Sequence, residues 1–167
     1  MTTTQATGQS AGSHPFTTAL AARDVDALMG TVAPDPVLYS AVSGPPFRGR
    51  EMLRDLYASV FDTFDELRIT DELHDGRTHV LFWEGSIGGR FVAGADRLRT
   101  DAGGMVEEIT IVGRPMTGLS MFITGIGFHL ARRRRGIVVA RALQVAARPL
   151  APMFALIDRL AGWALRR

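Results

Sequence analysis

The stretch FVAGADRLRTDAGGMVEEITIV, Phe91 to Val112, decides the fold. Two β-prone runs flank the tetrapeptide Asp101-Ala102-Gly103-Gly104, and so short a Gly-rich link between apolar runs predicts a β-hairpin. One acid, Asp96, sits inside the first strand just before Arg97. A carboxylate on a sheet that curls around a pocket can carry protons, so this hairpin is where chemistry is expected.

The pattern extends outward from the hairpin. Upstream, Leu67 and Ile69 alternate with polar residues, and His79 to Ile87 forms a mostly apolar run. Glycines at 76, 88–89 and 103–104 punctuate what reads as four consecutive antiparallel strands. Arg50 to Phe64 predicts a helix, because Met52, Leu53, Leu56, Val60, Phe61 and Phe64 recur at steps of three and four. His14 to Gly30 predicts two short helices, the second capped by Asp24. Pro34 and Pro36 are expected to end it, and Val37-Leu38-Tyr39 to start a strand that stops at Gly44-Pro45-Pro46.

Composition removes several chemistries. There is no cysteine, which excludes disulfides, thiolate catalysis and zinc-thiolate sites. The four histidines, His14, His74, His79 and His129, form no close metal-spaced pair, so no metal and no cofactor is expected. No Ser-His-Asp order, phosphate loop or dinucleotide fingerprint occurs, and Gly125-Ile126-Gly127 has neither a preceding strand nor a third glycine. The polar N-terminus has no apolar signal core, so residues 1–13 read as a disordered leader and a cytoplasmic location is expected.

All 19 basic residues are arginine, and their distribution is uneven. Residues 1–113 hold nine Arg against 16 Asp or Glu, a net −7, whereas residues 114–167 hold ten Arg against Asp158 alone, a net +9. An acidic body and a basic tail either touch each other or leave the tail for an anionic partner.

The segments RDVDALMGTVAPD (23–35), FRGREMLRDLY (47–57) and ADRLRTDAGGMVEEITIV (95–112) follow in the order helix, strand, helix, strand meander. In that order they resemble the nuclear transport factor 2-like superfamily, and within it the SnoaL-like and ketosteroid-isomerase-like branch. The resemblance covers about residues 15 to 113. It implies an α+β fold, a cone-shaped curled antiparallel sheet covered by N-terminal helices, around a small apolar pocket. The body then spans 14–113, with a helical, basic amphipathic extension over 114–167. A homodimer is implied by resemblance alone.

Isomerases of this group use a carboxylate base on the first strand, a tyrosine on the first helix and a protonated late-strand Asp. Matched here, the base position falls on Ser40 and the tyrosine on Phe16, neither of which can serve. A slip of a few residues would bring Tyr39 or Asp35 near the base position instead. Asp96 alone is retained, so a steroid isomerase mechanism is not expected. A SnoaL-like cyclase, isomerase or hydratase acting on an apolar carbonyl compound, with Asp96 as acid/base, stays open. So does a non-catalytic module that holds a lipid-like ligand or a partner. Asp96 itself has two readings, a buried proton carrier or a structural acid paired with Arg97, Arg99, Arg114 or backbone amides. Candidate ligand-binding residues are Phe16, Tyr39, Ser40, Tyr57, Phe61, His79, Trp83 and Phe91. Trp83 and Glu84 must point to opposite faces of their strand, and an inward His79 beside Asp96 would make a general-acid pair.

The tail reads as two or three helices. Met116 to Ala131 is apolar but short for a membrane span, and Arg132 to Arg135 follows it, the profile of a shallowly inserted helix. Arg134, Arg141 and Arg148 recur every seven residues as one basic stripe. The last helix sets Met153, Ile157, Leu160 and Ala164 on one face, with Phe154 and Trp163 at its borders, before Arg166-Arg167. An anionic membrane surface, packing on the acidic body or a second copy, and nucleic acid are the three candidate partners. The lack of interleaved aromatics argues against nucleic acid.

Overall fold

Glycine turns and apolar alternation generate one six-stranded sheet in the computed structural model, which describes residues 13–164. The leader, except Ser13, and the terminal Arg166-Arg167 lie outside the described residues. In chain order the elements are α1 (Pro15–Ala22), α2 (Val25–Gly30), β1 (Val32–Tyr39), β2 (Phe47–Arg48), α3 (Arg50–Thr63) and β3 (Glu66–Asp75). They continue with β4 (Thr78–Ile87), β5 (Arg90–Thr100), β6 (Val106–Arg114), α4 (Met116–Arg135), α5 (Ile137–Ala147) and α6 (Leu150–Ala164).

The sheet order is β2-β1-β6-β5-β4-β3. The meander β3 to β6 is antiparallel as expected, but β1 joins β6 in parallel, so the curled sheet is mixed and stays open at β2 and β3. At the deciding hairpin, Asp101 closes the turn with its side chain. Its Oδ1 accepts from Gly103 N at 2.8 Å and Met105 N at 2.9 Å. Gly104 takes φ 81°, a left-handed conformation that glycine adopts without strain.

The first strand begins earlier than its prolines suggest. β1 starts at Val32, and Pro34 and Pro36 lie within it rather than closing α2. They fall where the β1–β6 register shifts between Val32 and Val37, a place where a missing N–H breaks no ladder bond. The second helix ends at Gly30 for its own reasons: Asp24 Oδ1 caps Ala27 N at 2.9 Å, and Thr31 N closes on Leu28 O.

The inner face of the sheet and α1–α3 enclose a core in which Phe16, Leu28, Leu38, Leu53, Leu81, Leu98 and Ile109 are fully buried. α4 belongs to this core. Leu119, Phe122 and Ile126, spaced three and four apart, join the buried cluster. Two glycines on the same side of α4 permit the approach: a Cβ on Gly118 would lie 2.6 Å from Phe91 O, and one on Gly125 2.3 Å from Thr63 Cγ2. Arg133 then pairs with Asp62 at 2.7 Å and Arg134 with Asp55 at 2.8 Å, both on α3. The expectation that Met116 to Ala131 inserts into a membrane surface is therefore corrected: its apolar face is spent on the body. The seven-residue arginine stripe is also interrupted. Gly136, at φ 86°, separates α4 from α5, and Arg134 is held by Asp55. Packed on α4, α5 and α6 bury Ala140 but leave most of their other apolar side chains exposed.

Candidate functional site

Strand alternation determines what faces the core. On β5, Val92, Asp96 and Leu98 point inward, while Arg97 points out and pairs with Glu108 at 2.6 Å. On β4, Trp83 is inward and buried, and Glu84 lies on the outer face with Arg68 at 2.8 Å. Because Trp83 pairs with Gly94 across the two strands, the indole lies over a residue with no side chain. A Cβ on Gly94 would come within 2.4 Å of Trp83 Cζ2. That clearance lets Trp83 Nε1–H reach along the strand and donate to Asp96 Oδ1 at 2.8 Å.

Asp96 is 4% exposed, and no arginine reaches it; Trp83 is its one hydrogen-bond partner among the described residues. Burial pushes its carboxyl up to about 7, against the lowering effect of the Trp83 hydrogen bond. The group therefore exists near neutrality in both protonation states. Tyr57, on α3, is likewise buried, and its hydroxyl has no hydrogen-bond partner among the described residues. Burial first, and the Asp96 charge second, hold the Tyr57 pKa well above its usual value, so it remains a donor.

Both groups line one apolar cavity. Leu20 of α1, Val60 and Phe64 at the end of α3, Leu67 of β3, Ile111 of β6 and Phe122 of α4 complete its wall. The cavity measures about 30 Å³. A water needs roughly 10–15 Å³ by this measure, so the cavity as it stands has room for one or two waters, and an organic ligand enters it only as the apolar walls move apart. Phe122 meets Phe64 edge-on at 5.9 Å, and Phe64 meets Trp83 edge-on at 5.8 Å. An aromatic chain thus runs from α4 to the indole that holds Asp96.

Of the candidates read from the sequence, Asp96, Tyr57 and Trp83 come together here. Phe16 stands behind Tyr57 at 5.7 Å, ring edge to face, as core. Phe61 is half-buried, 6.4 Å from Tyr57. Tyr39 and Phe91 are exposed at 42% and 49%, and Ser40 accepts from Val42 N in the loop after β1. His79 is turned inward but sits toward the end of the sheet, stacked on His74 at 5.6 Å and tilted against His14 at 4.6 Å. It pairs across the sheet with Leu98, one inward position beyond Asp96, and so forms no acid pair with it. Burial, then His14, lowers the His79 pKa against the opposing pull of Glu72. Among the described residues, no group of three or more His, Asp or Glu is arranged to hold a metal. Phe122 was not legible as a wall residue, because it belongs to the tail; its only signal was the apolar spacing with Leu119 and Ile126.

The model of the SnoaL-like domain family matches residues 14–109. The chain belongs to that family. Its fold is shared with solved nuclear transport factor 2-like proteins. A steroid delta-isomerase from Pseudomonas aeruginosa is 26% identical, with a TM-score of 0.63 over 74% of this chain and 89% of that one. An uncharacterised protein with a cystatin-like fold from Silicibacter pomeroyi is 19% identical, with a TM-score of 0.65 over 84% of this chain and 97% of that one. A protein of unknown function from Burkholderia xenovorans, described as NTF-2 like, is 20% identical, with a TM-score of 0.54 over 59% and 77%. No curated protein matches the sequence. SnoaL-like domains commonly bind small molecules, and the cavity around Asp96 lies where this chain's inner sheet face meets its helices.

Proposed function

We propose that this SnoaL-like domain takes a small apolar carbonyl compound into its cup and moves a proton at the carbon beside the carbonyl. The observation that carries the reading is a carboxyl pushed up to about 7 and a free tyrosine hydroxyl sharing one apolar cavity. Ionised Asp96 removes the proton, and its C–H bonding pair becomes the enolate. Tyr57 donates to the enolate oxygen, and Asp96 returns the proton to the same or a neighbouring carbon. Isomerisation, cyclisation and hydration all need such a step. Trp83 orients the carboxyl throughout. The match to a steroid delta-isomerase supports the chemical class, but Ser40 and Phe16 lack the groups that the isomerase mechanism needs.

The experiment is deuterium uptake at the α-carbon of cyclohexanone in heavy water. Asp96→Asn should slow uptake on the order of 10²–10⁴-fold, the range for general acid–base groups, with ketone affinity changed less than about threefold. Tyr57→Phe should slow it about 10²-fold. Uptake undiminished in Asp96→Asn would end the catalytic reading.

One observation favours a second reading, a non-catalytic holder of a lipid-like ligand: α4 seals the cavity with Phe122. Ketone binding without exchange in the wild type would select it. Both readings take the protein as a homodimer across the outer sheet face, where Phe82 and Val112 are exposed.

A further inference from the structure

We infer that α5 and α6 form a docking surface for an anionic lipid bilayer, lying flat on it with their unburied apolar faces. At 100° per residue, Ala140 and Ala147 mark the side of α5 that packs toward α4. Val138, Ala142 and Val145 then fall on the opposite side, and Val138 is 78% exposed. Arg141 and Arg148 run along one border of that apolar row. On α6, Met153, Leu156, Leu160 and Trp163 recur at steps of three, four and three, all exposed, with Trp163 at 74%. A row of aliphatics edged by arginine and ending in tryptophan is the profile of a helix at the headgroup boundary.

The stretch Ile137–Ala161 is by length and composition long and apolar enough to cross a membrane. The geometry points to lying flat instead. A span would place Arg148 close to the bilayer midplane, at high cost. The chain also breaks there into helices of 11 and 15 residues, each below the roughly 20 a span needs.

Charge selects the occupant. Arg133 and Arg134 are used on α3, but Arg132, Arg135, Arg141 and Arg148 form no ion pair with any acid whose side chain is described. A second copy offers Asp35, Glu51, Glu66, Asp71 and Asp75, exposed and without an ion pair among the described residues, but they are scattered over β1, α3 and β3, whereas an anionic bilayer presents charge and apolar depth together along one plane. Anionic headgroups supply the missing charge.

The test uses the full chain and sedimentation with vesicles of phosphatidylcholine alone or with about a third phosphatidylglycerol, and does not involve Asp96. The protein should pellet with the anionic vesicles, not with phosphatidylcholine, and 0.5 M salt should release it. The pair Arg141→Gln and Arg148→Gln should weaken binding roughly 30-fold, from about a kilocalorie per arginine. The pair Leu156→Asp and Leu160→Asp should abolish it while leaving the melting temperature unchanged. If the aspartate pair disturbs folding, the glutamine pair decides. Failure to pellet, equal pelleting with both vesicles, or self-association that the aspartate pair abolishes in place of vesicle binding would each overturn the proposal.

Discussion

The cup and the last two helices break the same rule in opposite directions. Inside the cup, an ionisable carboxyl and a phenol hydroxyl are buried, one with a single partner and the other with none. On α5 and α6, valine, leucine and tryptophan face water. Both arrangements cost stability, since buried polar groups prefer water or partners and exposed apolar surface prefers burial. A fold tolerates such departures where they serve a ligand or a surface. Between the two regions stands α4, whose composition resembles α5 and α6 but whose environment resembles the cup.

The sharpest way to break this contrast is truncation of one apolar side chain on each side. Phe122→Ala removes a ring packed against Phe64 and the cavity, and should destabilise the protein by about 4 kcal/mol in chemical denaturation. Leu156→Ala removes a side chain that is 57% exposed, and should change stability by less than about 0.5 kcal/mol. Equal losses would mean that α6 is packed as firmly as α4 and that its exposed face is not available to a bilayer.

A second test concerns the buried acid alone. Its folded pKa of about 7 lies above the ordinary 3.8, so between these values the folded state holds a proton that the unfolded state has released. Stability is therefore greatest below pH 3.8 as far as this group is concerned, and falls as pH rises through about 7. The slope is about 1.4 kcal/mol per pH unit inside that window and vanishes above it. Asp96→Asn should remove this component, making the variant relatively more stable than wild type at pH 8 than at pH 5. Parallel pH profiles for the two proteins would mean that Asp96 is solvated, and the proton-transfer chemistry would lose its base.

The meander was legible because alternation and glycine turns act locally, and β3 to β6 follow from them. Asp96 was legible as an acid out of place in an apolar strand. Its partner was not: the Trp83 bond depends on Gly94 opposite the indole, a pairing that only the β4–β5 register creates. Tyr57 was found as aromatic bulk on a helix, but its free hydroxyl is a property of surroundings contributed by several elements. Tyr39 and Phe91 stand exposed and apart from the Asp96 cavity for a similar reason, since hydrophobicity alone does not say on which face of a curled sheet a residue stands. β1 hid behind its prolines, because the register shift that accommodates them involves distant β6. For α4 the sequence left a membrane surface and the acidic body both open. Its apolar run and its arginines match a membrane helix in composition, and Gly118 and Gly125 gave no hint in sequence that they clear a path to β5 and α3.

The smallest expected effect asks what holds α4 in place. Arg134 and Asp55 are both about one-third exposed at 2.8 Å, a geometry in which water screens much of the attraction. Arg134→Gln should therefore lower stability by only about 0.5 kcal/mol at low salt, and by nothing measurable in 1 M salt. The apolar contacts of Leu119, Phe122 and Ile126 then carry α4, and the arginines only steer it. A loss of 2 kcal/mol or more that persists in salt would reverse that order. α4 would then be fixed by charge, as α5 and α6 are expected to be on a bilayer, and the division between a packed helix and two docking helices would become a difference of partner alone.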